Sequence, residues 1–187
     1  MSPISVTTTN LIQGPATLYK GNFGATEPAD TVVNAAPPAS SWTDLGGTQD
    51  GVKLSVDQTY SELEVDQITL RVGSRLTKQD FTIGTSLAEA TLENLAISLN
   101  GGTAASGAGF KSYDPDVSSS ATQPNYFAII MDGYGPGGTR RVIGRRMLNT
   151  DSSELAYTKD KQTLIPVKFA GHYVSAAIKP FHIVDQV

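Results

Sequence analysis

Two short runs in this 187-residue chain have the spacing of a chemical site. Gly133-Tyr134-Gly135-Pro136-Gly137-Gly138 matches G-x-G-x-x-G and follows an apolar run, Tyr126 to Met131, that reads as a buried strand. Dinucleotide binding needs those glycines to open directly into a helix N-terminus, whose free N–H groups hold the pyrophosphate. The residues that follow, TRRVIGRRM, lack a cap and carry Gly144 mid-run, so a glycine-rich hairpin turn is the better reading. Asp114-Pro115-Asp116 sets two carboxylates close together but lacks the further oxygen ligands of a calcium loop, and reads as solvated loop.

The remaining reactive side chains are few. There is no cysteine, which excludes a disulfide framework, a thiolate metal site and a thiol nucleophile. His172 and His182 are the only imidazoles, and both sit in extended apolar segments where structural histidines are the default. No nucleophile elbow or local triad is visible. Arg140, Arg141, Arg145 and Arg146 could touch phosphate, but arginines on a β-hairpin serve equally well in subunit contacts, and they are candidates for that role. The expectation is a protein that is not an enzyme, with no cofactor and no metal.

The elements that carry these residues are mostly strands. A hydrophobic content of 39%, 18 glycines and many Thr, Ser and Val favour a mainly β domain with long loops, large enough to bury a core. The centre of the chain is 42–72, WTDLGGTQDGVKLSVDQTYSELEVDQITLRV. After Gly51, Val52, Leu54 and Val56 alternate with Lys53, Ser55 and Asp57; Ile68, Leu70 and Val72 alternate with Gln67, Thr69 and Arg71. Strict alternation predicts an antiparallel hairpin with one apolar and one wet face, with Tyr60-Ser61-Glu62 as the reversal. Gly73-Ser74 then interrupts the second strand, and 75–83 continues extended. Ser86-Leu87-Ala88-Glu89 reads as a capping box opening a helix over about 86–99. Its stripe is Ala88, Leu92, Leu95, Ala96 and Leu99, and Asn100-Gly101-Gly102 ends it. Further strands are predicted at 15–20, 126–131, 140–148, 161–173 and 176–184, with an N-terminal arm at 1–13 and long loops at 21–41 and 102–124.

Charge is unevenly placed. The formal net charge is −4, and the stretch from Asp50 to Asp66 holds Asp50, Asp57, Glu62, Glu64 and Asp66 against Lys53 alone. After Gly138 there are eight Lys or Arg against four acids, so copies of the chain could meet head to tail. The first residues carry no signal peptide pattern, no apolar run approaches a membrane span, and the acidic balance argues against a general grip on nucleic acid. Synthesis in a cytoplasm is the expectation.

The order of elements resembles the major tail tube proteins of long-tailed, non-contractile (siphovirus-type) bacteriophages. The residues that carry the resemblance are W-x-x-L-G-x-x-x-x-G-V-x-L at Trp42, Leu45, Gly46, Gly51, Val52 and Leu54, followed by the hairpin and a single helix. The resemblance implies a β-sandwich or incomplete barrel of two antiparallel sheets with one flanking helix. Six copies form a ring, their inner sheets join into one β-barrel, and rings stack into a tube through which DNA passes during ejection. It also implies contacts with the tail tip or initiator, the tail terminator and the tape measure protein, location in the virion, and no membrane. Asp57, Glu62, Glu64 and Asp66 are the candidates to line or rim an acidic channel that repels DNA phosphates. Some relatives carry an extra C-terminal immunoglobulin-like domain; this chain reads as the bare tube module. The alternatives are another phage structural part, such as a tail terminator or capsid decoration protein, and a β-sandwich carbohydrate-binding module.

Overall fold

A computed structural model describes residues 6–116 and 125–187. Ten strands and one helix follow in the order β1 (Thr17–Asn22), β2 (Trp42–Asp44), β3 (Thr48–Val65), β4 (Ile68–Leu87), α1 (Leu92–Ser98), β5 (Thr103–Gly107), β6 (Phe110–Asp114), β7 (Phe127–Gly135), β8 (Gly138–Asn149), β9 (Ile165–Gly171) and β10 (Phe181–Asp185). The protein is mainly β, with two antiparallel sheets and one helix, as expected. One sheet runs β2-β1-β7-β8-β9-β4-β3, with β10 paired to β8; the other is the ribbon β5-β6. β9 and β10 share one edge of β8: β10 takes 140–144, and β9 takes 147–149. The sheet does not close into a barrel within one chain. It does curve strongly, because Leu18 of β1 and Ile83 of β4, four strands apart, lie in the same core.

That core is built from alternate residues of each strand. Ile83 and Leu87 on β4, Ile129 on β7, Val142 on β8 and Ile165 and Phe169 on β9 are fully buried. Each such aliphatic side chain contributes about 1.5–3 kcal/mol of burial. β7 is buried on both faces, since Ala128 and Ile130 meet Trp42 and Ile143 on its other side. This is why YFAIIM reads as a continuous apolar run.

Each position of the W-x-x-L-G-x-x-x-x-G-V-x-L pattern has a physical task. Trp42 is buried against Gly21, where a Cβ would lie 2.8 Å from the indole, and its Nε1 donates to the Thr26 carbonyl at 3.0 Å. The Leu45 side chain is buried, and its N–H donates to the Leu18 carbonyl at 2.9 Å. Gly46 and Gly51 have φ of +80° and +76°, which a side chain resists. Gly51 sits in a break of register between Gln49 and Lys53, and from there Val52 and Leu54 turn toward the core.

Four expectations need correction. The hairpin reverses at Asp66-Gln67, not at Tyr60–Glu62, and β4 runs unbroken through Gly73-Ser74. The alternation about Tyr60 continues because Tyr60 pairs with Leu76 across the ribbon. The helix is shorter than 86–99: Ser86 and Leu87 still pair with Gln49 and Thr48 in the sheet, so the capping box is not used. Thr91 is the N-cap instead, its Oγ1 accepting from Asn94 N at 3.2 Å. Asn94 and Ser98 are the buried residues of α1, with Leu95 and Ile97 packing on the core, while Leu99 is exposed. The stretch 102–124 is not all loop, since β5 and β6 pair across it; residues 117–124, and 1–5 of the arm, lie outside the described residues. Within 21–41, a 3-10 turn at Asp30–Val32 leads into buried Val33.

Candidate functional site

No catalytic constellation forms around the residues first considered. Gly135 pairs with Gly138 across a two-residue turn, Pro136-Gly137, so the glycine run is the β7–β8 hairpin. His172 Nδ1 lies 3.1 Å from the Ala170 carbonyl, and its ring packs edge-on against Tyr126. His182 Nε2 lies 3.3 Å from Asp30. Among the described residues no three His, Asp or Glu come together as a metal would require. An open groove of about 920 Å³ lies between α1 and β1, β2 and β7. Two of its amides are committed inward: Asn94 Nδ2 donates to the Leu45 and Glu89 carbonyls at 3.0 and 2.9 Å, and Asn100 exchanges two bonds of 2.7 Å with the Asn149 backbone.

What stands out is the β3–β4 hairpin. β4 is flanked by β9 only over Thr82–Leu87. Beyond that point the hairpin is a bare two-stranded ribbon, and nearly every residue from 56 to 79 is exposed. Exposed Val56, Tyr60, Leu63, Val65, Ile68, Leu70, Val72 and Leu76 all lie on it. Among the described residues β3 ends the sheet and pairs with β4 alone, so its outer edge is free over 18 residues, or roughly 60 Å of strand. The outer edge of β4 is likewise free over 68–81 among the described residues. Long open edges are templates for another strand.

The register separates the two faces. Leu54, Val56, Gln58, Tyr60 and Glu62 stand opposite Ile83, Phe81, Gln79, Leu76 and Ser74; this face continues into the core. Lys53, Ser55, Asp57, Thr59 and Ser61 stand opposite Gly84, Thr82, Asp80, Lys78 and Arg75, and this face is polar. The four acidic candidates are therefore not together. Asp57 lies on the polar face, and Glu62 lies on the opposite face in a salt bridge with Arg71. Glu64 lies where the register shifts between Leu63 and Val65, and Asp66 is in the turn.

The comparisons bear on what such a ribbon is for. The family model described as phage tail tube protein matches residues 7–179 of the 187. The chain belongs to the phage tail tube protein family. No curated protein matches it. As a tail tube protein it is a structural component of the virion, and it assembles with copies of itself and with other tail proteins into a tube.

In this tail tube subunit the four arginines all have partners in their own chain. Arg140 forks onto Asp185 with two bonds of 2.6 Å, tying β10 to β8. That contact raises the arginine pKa and holds the Asp185 carboxyl below the usual carboxylate range. Arg141 is 2% exposed; it forks onto Asp132 at 2.7 and 2.6 Å and donates to the Ala35 carbonyl at 2.6 Å. Arg145 forks onto Glu27 at 2.6 and 2.9 Å, which raises its pKa, and donates to the Lys179 carbonyl. Arg146 stacks 4.0 Å from the Tyr126 ring centroid and donates to the Tyr173 carbonyl at 2.8 Å. β8 thus works as a spine from which these side chains clip down the 23–35 segment and the C-terminal strand.

The charge balance read from the sequence stopped at Asp66 and so left out Arg71, Arg75 and Lys78 on the return strand. Counting β4 as well, the hairpin 48–87 carries six acids and four bases, where the stretch 50–66 alone carries five and one.

Proposed function

We propose that this subunit forms six-membered rings that stack into the tube of a long, non-contractile phage tail, and that DNA passes through the channel during ejection without any chemistry being done on it. The observation that carries this reading is that both long unpaired edges belong to one hairpin. The free edge of β3 in one copy can add to the free edge of β4 in the next, antiparallel like every other pair in the sheet. Such an interface is heterologous, and repeated by rotation it closes a barrel and leaves no edge exposed. The core-side face of the ribbon would then be covered by protein and the polar face would look into the channel. On that reading Asp57 lines the channel and Glu64 and Asp66 rim it at the hairpin tip, where carboxylates discourage DNA from sticking. Arg140, Arg141, Arg145 and Arg146 serve subunit contact indirectly, by holding the loops that reach the neighbouring ring. Tail tip or initiator, tail terminator and tape measure proteins are the further partners, and the chain is made in the host cytoplasm.

The test is a shortened hairpin. Replacing 59–78 by Asn-Gly keeps Phe81, Ile83 and the core but removes most of the free edge of β4 and the outer part of that of β3. Negative-stain electron microscopy of full-length protein, alone and seeded with tail tips, is expected to show tubes. The shortened chain is expected to stay a folded monomer; tubes formed by it would refute the edge-pairing model.

A further inference from the structure

The polar face of the ribbon contains an unresolved conflict of charge. Asp57 on β3 stands directly opposite Asp80 on β4, and like charges in direct cross-strand register are destabilising. Asp80 is relieved by Lys78, whose Nζ lies 2.5 Å from its carboxylate on the same strand. Asp57 has no salt bridge among the described residues. On the same face, Arg75 stands opposite uncharged Ser61 and also has no salt bridge among the described residues. Within the chain these two cannot meet. Arg75 is level with Ser61, four residues along β3 from Asp57, or roughly 13 Å.

Each residue, however, sits on a strand with an open outer edge. We infer that Asp57 of one copy pairs with Arg75 of the next copy, and that this ion pair sets the stagger at which hairpins join. The inference rests on the tube reading above and adds its register. Strands paired across a new edge lie about 4.8 Å apart, so side chains brought opposite one another are within ion-pair reach. Placing Arg75 of the neighbour opposite Asp57 slides each copy four residues along the last. An even shift keeps polar face with polar face; an odd one would turn exposed Val56 and Tyr60 to the wet side. A constant stagger is also what a closed barrel requires for its strands to tilt. Lys78 is a poorer partner for Asp57, being engaged by Asp80. The lock would answer the Asp57–Asp80 repulsion only on assembly, favouring correctly aligned neighbours over slipped ones.

Charge reversal in full-length protein tests this. Asp57→Arg and Arg75→Asp each place like charges at every junction, and each is expected to raise the concentration needed for tube formation by about tenfold or more. An equimolar mixture can alternate around an even-numbered ring, restoring an opposite-charge pair at every junction. It is expected to assemble within about threefold of wild type. A misfolded variant could not be rescued by mixing, so recovery in the mixture assigns the pair between copies. Single variants that assemble like wild type overturn the inference, and so does a mixture that fails with both components folded. Should wild type itself form no tubes when seeded, the tube reading falls. The pair is then read from Asp57→Cys mixed with Arg75→Cys under oxidation, in a chain that has no other cysteine. A crosslinked dimer supports it, and monomers alone overturn it.

Discussion

Asp132→Ala removes the counter-ion of the most deeply buried charge among the described residues. Arg141 is 2% exposed, and both its guanidinium nitrogens facing Asp132 are within 2.7 Å of a carboxylate oxygen. Deleting one partner of a buried pair costs about 3–5 kcal/mol, because the other charge stays desolvated and unpaired. The Asp132 side chain is 14% exposed, so some water reaches the pair, and the lower end, about 3 kcal/mol, is expected. For a chain of this length that corresponds to a fall in Tm of about 6–12 °C. Urea unfolding followed by Trp42 fluorescence is a direct assay, since Trp42 is the only tryptophan and is buried. Arg141→Met combined with Asp132→Leu removes both charges and should lie closer to wild type than Asp132→Ala does, giving a strongly non-additive cycle. Arg141→Met alone removes the donor to the Ala35 carbonyl and should speed proteolysis within 30–36. A loss below about 1 kcal/mol for Asp132→Ala, or additive effects, would refute the clip.

Three further outcomes are expected. Thr91→Ala should cost about 1 kcal/mol in urea unfolding while Ser86→Ala stays near neutral; the reverse order would restore the capping box at Ser86. Asp185 has a depressed folded-state pKa, so its contribution is present above the ordinary carboxylate range and lost as pH falls through the folded value. The Tm difference between wild type and Asp185→Asn should therefore shrink as pH falls from neutral toward about 3, from a gap worth well under ~1 kcal/mol at this half-exposed site; a constant gap would be against it. Glu64→Lys with Asp66→Lys should leave melting and tube formation intact but slow DNA release from reconstituted phage, and loss of assembly would place these residues in a subunit contact instead.

The legible parts of the fold were those where one chain buries one face. Val52, Leu54 and Val56 could be assigned because they or their neighbours pack on the core, and β7 because both its faces are covered. Alternation further out gave no clue to the turn, since in a ribbon with both faces wet nothing forces a residue type at any position. The β5–β6 ribbon escaped because Thr103-Ala104-Ala105-Ser106-Gly107 has almost no strand propensity and is held by pairing with 110–114. Ser86 mimicked a helix start because its local pattern is right; pairing of β4 with β3 and β9 overrides it. The arginines were visible as a basic set, but their partners Glu27 and Asp185 lie far away in sequence, and only the fold brings them together.

The order in which the sheet can be completed follows from where its strands lie in the chain. The hairpin 48–87 pairs within one contiguous stretch, so it can form from local contacts as soon as it is synthesised. β1 cannot settle until β7 arrives, because residues 17–22 pair with 127–132 and occupy the interior of the sheet between β2 and β7. A growing chain therefore presents a finished ribbon with two open edges while the strands that build its core are still to come. Encounters at that stage join half-made subunits, and such species are the ones that aggregate. Fragments ending near residue 116 keep the adhesive ribbon without β7, β8 and β9, and they are expected in the insoluble fraction of any preparation in which translation stops early.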